Sequence, residues 1–208
     1  MPACGRQARA ASKEERGGIG MKQNVISEAT VLEEVKKAIA QTLKVEKETI
    51  QPEHSLMRDL GAESLDFLDI NYRLEQAFGI KTARHFVLEH IEEMFGEGSA
   101  IDDNSQLTEK AIALLKIRLG DNLPVKLSPG MDMDEIPPLI TVQGMTKVLM
   151  EILDTLPEKC TSCGHSGWTS ENGQRIKCES CGTNATFTDG DTLTKEWLTK
   201  VQEEKKIF

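Results

Sequence analysis

The sequence predicts a mainly α-helical protein that also contains a small β module held together by a metal ion. Five segments repeat apolar residues at the spacing of a buried helix face, and three of them end at a glycine. Two Cys-x-x-Cys pairs follow these segments. With 208 residues, the chain has room for one domain with appendages or for two small domains. Because only 4% of the residues are aromatic, we expect a core of Leu, Ile, Val and Met.

Hydropathy and charge exclude several classes of function. The longest apolar runs are far shorter than the roughly 18 residues that cross a bilayer, and residues 1–24 lack the apolar stretch of a signal peptide. We therefore expect a cytoplasmic protein without stable membrane insertion. Residues 25–158 carry 13 Lys and Arg against 25 Asp and Glu, a net charge of −12. This charge disfavours binding to nucleic acid and favours protein partners with basic patches.

Composition divides the chain into three parts. Residues 1–24 show no apolar period, so we predict a disordered extension, with Met21 as a candidate true start. Residues 25–158 contain the five helical patterns and form the first predicted domain. Residues 159–208 contain the cysteine pairs and a short terminal helix pattern, and form the second.

The helix boundaries follow from capping residues and glycines. The capping box Thr30-x-x-Glu33 predicts the start of a first helix that ends near Lys44. The second helix is predicted over residues 64–78, the next two over residues 83–95 and 108–119, and the fifth after the cap Thr141. The apolar face of the second helix is wide enough to predict burial on two sides, and it consists of Leu65, Phe67, Leu68, Ile70, Tyr72, Leu74 and Phe78.

A serine stands at the predicted start of the second helix, within the string Asp59-Leu60-Gly61-Ala62-Glu63-Ser64-Leu65-Asp66. At this position its hydroxyl is expected to be exposed, and the helix N-terminus would favour an added phosphodiester charge. No His or Lys lies in this string to activate Ser64 as a nucleophile. The plain alternative is that Ser64 serves only as the N-cap. Ser55 has a similar local pattern but lies in the preceding loop, so we discount it.

Residues 30–80 closely resemble the acyl carrier protein family, whose signature around the modified serine reads Asp-Leu-Gly-Ala-Asp-Ser-Leu-Asp. This chain has Glu63 in place of the aspartate before the serine, and the resemblance continues through Leu74-Glu75-Gln76-Ala77-Phe78-Gly79-Ile80. The resemblance implies that Ser64 carries 4′-phosphopantetheine, whose thiol holds an acyl chain as a thioester. It also implies a carrier and not an enzyme.

The resemblance further implies partners. These are a phosphopantetheinyl transferase and acyl synthases and transferases with basic docking patches. Docking would use the second helix and its approach, namely Asp59, Glu63, Leu65, Asp66, Asp69 and Glu75. An ordinary solvated helix face is the alternative. The string over residues 64–70 is also similar to carriers of very long or specialised chains in lipid A-type and polyene-type pathways, so fatty acid, specialised lipid and polyketide-type synthesis all stay open.

An insertion distinguishes this chain from an ordinary carrier. About 60 residues, 81–139, separate the second helix from Ile140-Thr141-Val142, where the family's final helix begins. We therefore predict an acyl-carrier-type helical bundle with an inserted helical hairpin. The apolar residues of the insert could widen an acyl-chain groove or add core, and added core is favoured. They are Phe86, Val87, Ile91, Met94, Phe95, Ile112, Leu115 and Leu119.

The four cysteines of the C-terminal part have the spacing of a zinc site. Cys160 and Cys163 form one pair, Cys178 and Cys181 the other, with 14 residues between the pairs. Four thiolates favour tetrahedral zinc and leave no open position, so the site would be structural. Disulfides are disfavoured without a secretion signal, and a redox pair is the other alternative. The module resembles a zinc ribbon, with strands predicted around residues 167–169, 174–177 and 184–188.

Three classes of function follow from these features. The leading hypothesis is an acyl carrier whose ribbon tethers it to one enzyme or stabilises a dimer. A second is an enzyme, acting as a thiol oxidoreductase through the cysteines or as a hydrolase through Ser64. The third is an unmodified adaptor that docks a biosynthetic enzyme through the second helix and the ribbon.

Overall fold

The computed structural model describes residues 23–120 and 126–208, and helices dominate this part of the chain. The helices are α1 (Glu28–Leu43), α2 (Ser64–Phe78), α3 (Val87–Phe95), α4 (Glu109–Leu119), α5 (Val142–Leu153) and α6 (Gly190–Lys205). Strands β1 (Trp168–Ser170) and β2 (Ile176–Cys178) pair antiparallel, with Thr169 opposite Lys177. The predicted fold class, mainly helical with a small β module, is confirmed. None of the helices in these two ranges combines the length and apolarity needed to cross a membrane.

The predicted disordered extension and the candidate start Met21 lie outside the described residues, except for positions 23 and 24. Gln23 is buried, and its side-chain oxygen accepts hydrogen bonds from the N–H groups of Val25 and Ile26. Its own N–H donates to Asp154 after α5. The prediction of disorder is therefore wrong at Gln23, which joins the approach to α1 to the end of α5.

Two helices begin elsewhere than predicted. Helix α1 starts after Ser27, whose hydroxyl accepts the N–H of Thr30 at 3.1 Å, so Thr30 lies inside the helix and is not its cap. Helix α3 starts at Val87 and not near residue 83. The N–H groups of Arg84 and His85 donate to the Asp191 carboxylate, which holds this segment outside the helix.

A first hydrophobic core lies where α1 packs against both α2 and α5. The loop between α1 and α2 closes this core with Ile50, Leu56 and Ala62. The buried helical residues are Val31, Val35, Ala38 and Ile39 of α1, Ile70, Leu74 and Phe78 of α2, and Val142, Met145, Leu149, Ile152 and Leu153 of α5. These three helices form the bundle that the sequence predicted.

The inserted segment forms a second core together with the terminal helix. Leu198 and Val201 of α6 are buried against α3 and α4. The other members of this core are Leu88, Ile91, Ala100, Leu107, Ala111, Ile112, Leu114, Leu115, Leu127, Met131, Ile136 and Leu139. The prediction that the insert adds core is confirmed for Ile91, Ile112 and Leu115, whereas Phe86 and Leu119 remain exposed.

Helix α2 is buried on one side only. Leu65 is 77% exposed, Leu68 is 59% exposed and Tyr72 is 58% exposed. The prediction of burial on two sides is wrong for these three residues, because α1 packs against the opposite face of α2, where Ile70 and Leu74 are buried in the first core.

The cysteine module packs directly on the first core. Ile176 of β2 and Ala185 are buried members of that core, and Trp168 and Phe187 pack against it. The Trp168 indole N–H donates to the Pro157 carbonyl at 2.9 Å. The predicted third strand is wrong as a strand, because Asn184 makes only a single bridge to Lys177. The module is therefore joined to the helical bundle by apolar packing.

Candidate functional site

The loop that precedes Ser64 is tied to the start of α5. The Leu56 N–H donates to the Ile140 carbonyl at 3.1 Å, and the Val142 N–H donates to the His54 carbonyl at 3.0 Å. Gly61 has a φ of +70°, a conformation that costs a residue with a Cβ about 1–2 kcal/mol. This turn buries Ala62 and leaves the next residues at the surface.

Ser55 is part of this clamp and is fully buried. Its hydroxyl donates to the Pro138 carbonyl at 2.7 Å and accepts the Arg58 N–H at 3.2 Å. Its N–H donates to the Asp59 carboxylate at 2.7 Å. Ser55 is therefore a structural residue without access to solvent.

Ser64 is exposed and is the first residue of α2. The N-cap is Glu63, whose N–H donates to the Asp66 carboxylate at 2.8 Å, so the N-cap interpretation of Ser64 is wrong. Among the described residues, the Ser64 hydroxyl has no hydrogen-bond partner. The first N–H groups of a helix lack intrahelical acceptors, so a negative group attached here would lie near their partial positive charge.

Two acidic residues proposed for docking remain accessible although they are hydrogen-bonded. Asp59 is exposed and accepts the Ser55 N–H. The Asp69 carboxylate accepts the Thr42 hydroxyl at 2.6 Å and Arg73 Nε at 2.8 Å. These contacts lower the pKa of Asp69 below its ordinary value, and the hydrogen bond from Thr42 has the largest effect. Asp69 therefore keeps a negative charge on the outer part of α2.

Glu75 does not belong to the exposed acidic face. Its side chain is buried, and one carboxylate oxygen accepts both the N–H and the hydroxyl of Thr82, at 2.9 and 2.8 Å. The other oxygen accepts Arg84 Nη2 at 2.9 Å. The proposed docking role of Glu75 is corrected: this carboxylate fixes the chain after α2.

An exposed apolar stripe runs along α2 from the residue after Ser64. Leu65, Leu68 and Tyr72 form this stripe. Helical spacing places all three on the same side of α2. Asp66 and Asp69 lie between them in the sequence, so apolar and acidic groups are interleaved beside Ser64. A partner that reads this surface needs an apolar pocket with cationic groups around it.

The four cysteine sulfurs converge as the spacing predicted. All four Sγ atoms lie within 4.8 Å of one another, with Cys160 to Cys181 at 3.7 Å and Cys163 to Cys178 at 3.6 Å. Ligands about 2.3 Å from a tetrahedral zinc ion lie roughly 3.8 Å apart, so the separations fit that ion. The chemistry of four thiolates fits zinc equally well.

The pKa values of the two exposed cysteines shift in opposite directions: that of Cys163 rises to about 11, because the His165 backbone hydrogen bond, which lowers it, is outweighed by hydrogen bonds to the other sulfurs and by burial. The Thr183 hydroxyl lies 3.2 Å from Cys181 Sγ, and hydrogen bonding to Thr183 lowers the pKa of Cys181 to about 6. His165 is not directed at the sulfurs in this arrangement; its Nε2 lies 3.9 Å from a Glu179 carboxylate oxygen. Four sulfurs complete a zinc coordination shell without it.

A second cluster of potential metal ligands was missed by the sequence analysis. His85, His90 and Asp191 place one ligand atom each within 4.8 Å of the others. The histidines stand five residues apart, and Asp191 follows about a hundred residues later, so no local spacing signalled the cluster. Only the packing of α3 against α6 brings these side chains together.

The region around Ser64 is similar to known proteins. Residues 33–96 match the family described as "Phosphopantetheine attachment site", and Ser64 lies within this range. The chain is also similar to the "Acyl carrier protein AcpXL" of Brucella melitensis biotype 1, with 43% identity over 53 residues, which are 26% of this chain and 57% of that protein. The protein of the same name from Mesorhizobium japonicum is 45% identical over 53 residues, again 26% and 57% of the two chains.

A third relative is the "Acyl carrier protein AcpXL" of Rhizobium meliloti, 47% identical over 49 residues, or 24% of this chain and 52% of that protein. This chain therefore spans little more than half the length of the curated relatives it matches. All three relatives are named as acyl carrier proteins. No solved structure gives a significant match.

Proposed function

We propose, from the match of residues 33–96 to the family described as "Phosphopantetheine attachment site", that this protein is an acyl carrier protein modified at Ser64. The observation that carries the proposal is the exposure of Ser64 at the N-terminus of α2, inside the matched range. Ser55, the other serine of this region with a similar pattern, is buried and hydrogen-bonded.

The modification is a transfer from coenzyme A. The Ser64 oxygen forms a bond to the phosphorus next to the pantetheine, the bond from that phosphorus to the nucleotide part breaks, and the hydroxyl proton leaves to a base of the transferase. The product is a phosphodiester at the start of α2, where the helix dipole favours its charge by about 0.3–1 kcal/mol. The terminal thiol of the arm then carries acyl intermediates as thioesters.

The surface beside Ser64 supports docking to transferases and acyl-handling enzymes. The apolar stripe of Leu65, Leu68 and Tyr72 offers area to bury, and Asp66 and Asp69 offer charge. Such charges mainly increase the association rate and make it sensitive to salt. We expect Leu65→Ala to slow arm transfer more than the control Ile117→Ala, which changes an exposed residue of α4.

The four cysteines are proposed to hold a structural zinc ion. Zinc would fix the two Cys-x-x-Cys turns, and β2 would hold the module on the first core through Ile176. This packing supports a ribbon that is fixed against the carrier domain, rather than one connected to it only by a flexible linker. A thiolate site suits a reducing compartment, and we propose the cytoplasm. The acyl intermediates would belong to fatty acid, specialised lipid or polyketide-type synthesis.

The experiment is intact-mass analysis of the full chain after incubation with coenzyme A and a broad-specificity phosphopantetheinyl transferase. We expect one added arm on the wild-type protein and on the exposed-loop control Ser128→Ala, and none on Ser64→Ala. An arm on Ser64→Ala would overturn the assignment of the residue.

If the wild-type protein stays unmodified in this reaction, the protein is next purified from its native host and its intact mass is measured. An arm on the native protein supports the carrier function with a dedicated transferase that accepts Glu63 before the serine. Its absence there overturns the proposal and favours the unmodified adaptor, which would dock a biosynthetic enzyme through α2 and the ribbon.

A further inference from the structure

The junction between the inserted segment and α6 contains a cluster of histidine and carboxylate ligands that the carrier function does not use. His85 precedes α3, His90 lies within α3, and Asp191 lies in the first turn of α6. Asp191 Oδ1 is 2.9 Å from His90 Nε2 and 3.6 Å from His85 Nδ1. The two imidazole rings meet edge to face, with centroids 5.6 Å apart.

The backbone builds this cluster through a close approach. Gly190 donates its N–H to the Lys81 carbonyl at 3.0 Å, and a side chain at Gly190 would collide with the backbone of Thr82 and Ala83. The absence of a Cβ therefore brings the next residue, Asp191, against the segment that contains His85.

The Asp191 carboxylate is held in place. The Arg84 N–H donates to it at 3.0 Å and the His85 N–H at 3.2 Å. A carboxylate oriented in this way is a ready ligand for a cation.

His90 is the least accessible member of the cluster and the least satisfied. Its side chain is 2% exposed, and its Nδ1 has no hydrogen-bond partner among the described residues. The Glu93 carboxylate lies 3.5 Å from Nδ1, and Lys195 of α6 contacts this carboxylate at 2.7 Å. A merely structural His90–Asp191 hydrogen bond places the proton on Nε2 and leaves a buried nitrogen unpaired, which costs free energy.

A cation on Nε2 removes this cost. It moves the ring proton to Nδ1, where it faces Glu93, and histidines that bind metals usually donate their second ring N–H to a carboxylate in this way. Ligand atoms about 2.0–2.1 Å from a tetrahedral zinc ion lie roughly 3.3 Å apart, between the 2.9 and 3.6 Å found here.

We propose that His85 Nδ1, His90 Nε2 and the Asp191 carboxylate form a second metal site, for a zinc-type divalent cation. Two imidazoles and one carboxylate suit zinc and its neighbours better than magnesium or calcium, which take oxygen ligands. The His85 side chain is 60% exposed, so solvent and an ion can reach the cluster at this residue. The ion would join the inserted segment to α6, and this site is independent of the modification of Ser64.

The test counts and titrates zinc on the full-length protein. Native mass spectrometry in the presence of zinc and a weak competing chelator should give two zinc ions on wild type and on the control His54→Ala, and one on His85→Ala. Asp191→Asn should also retain one. By equilibrium dialysis, His85→Ala should weaken the second zinc by at least about tenfold.

Variants of the other cluster separate the two sites. Cys163→Ser with Cys181→Ser should lose the thiolate-bound ion and retain the second one. Because the His85 side chain is exposed, His85→Ala should keep the wild-type circular dichroism spectrum, so a lost ion is not a lost fold. A single zinc on the wild-type chain, or unchanged affinity for the second zinc in His85→Ala, would overturn the proposal.

Discussion

Replacing Ile176 with alanine tests whether the cysteine module and the helical bundle share one core. Ile176 lies on β2, two residues before Cys178, yet it is 1% exposed and belongs to the core formed by α1, α2 and α5. If that packing matters, a change in the ribbon must destabilise helices that are distant in sequence.

The expected magnitude follows from the atoms removed. Ile176→Ala deletes three buried carbons, worth about 0.8 kcal/mol each in transfer free energy, or about 2.4 kcal/mol. A residual cavity adds to this, and such substitutions cost about 2–5 kcal/mol. We expect a loss of about 3 kcal/mol, which corresponds to roughly 6–12 °C in the midpoint of a chain of this size.

The assay follows unfolding by two probes. Far-ultraviolet circular dichroism reports the helices, and fluorescence reports Trp168 when Trp197, the second of the two tryptophans, is replaced by phenylalanine. We expect both midpoints to fall together in Ile176→Ala. The shared core would be refuted if the fluorescence midpoint fell while the unfolding free energy of the helices, read by circular dichroism, stayed within about 0.5 kcal/mol of the parent.

Ile117→Ala is the matched control. It makes the same chemical change on α4, where Ile117 is 44% exposed, so its effect should stay within about 0.5 kcal/mol.

Three further predictions test other parts of the structure. Ser55→Ala should lower the free energy of unfolding by about 1–3 kcal/mol in denaturant titrations, because the Pro138 carbonyl and the Arg58 N–H lose a buried partner. Arm addition at Ser64 should continue in this variant. Unchanged stability would contradict the structural role of Ser55. Removing metal from the full chain with a strong chelator should lower the midpoint of the helices as well as that of the ribbon, as read by circular dichroism and fluorescence. The pKa of Asp69 is lowered in the folded state, so its carboxylate should stabilise the fold fully above the ordinary carboxyl pKa and lose this effect as pH falls through the folded-state pKa. The difference in unfolding free energy between wild type and Asp69→Asn should therefore shrink from pH 7 to pH 2.5. A constant difference would contradict this.

Much of the candidate site could be predicted because its signals are local. The start of α2 at Ser64 and its end before Gly79 follow from a turn, a helical period and a left-handed glycine within about twenty residues. The convergence of the four cysteines also follows from spacing, because two short turns of this type present their sulfurs to one point.

Burial was harder to predict than secondary structure. A helical period identifies an apolar face but not the neighbour that covers it. Leu65 and Tyr72 therefore share a predicted face with Leu74, although only Leu74 is buried. The prediction that Glu75 is an exposed docking residue was wrong for the same reason. Its charge predicted an exposed position, but Thr82 and Arg84 fold back onto it after α2.

The sequence by itself determined the helices, the serine at the start of α2 and the four-sulfur cluster, since each depends on residues close together in the chain. The tertiary structure decided that the ribbon packs on the first core, that α6 completes a second core with the insert, and that His85 and His90 meet Asp191. These contacts join residues about a hundred positions apart. They depend on how all the apolar faces of the chain pack together, and no local sequence pattern specifies that packing.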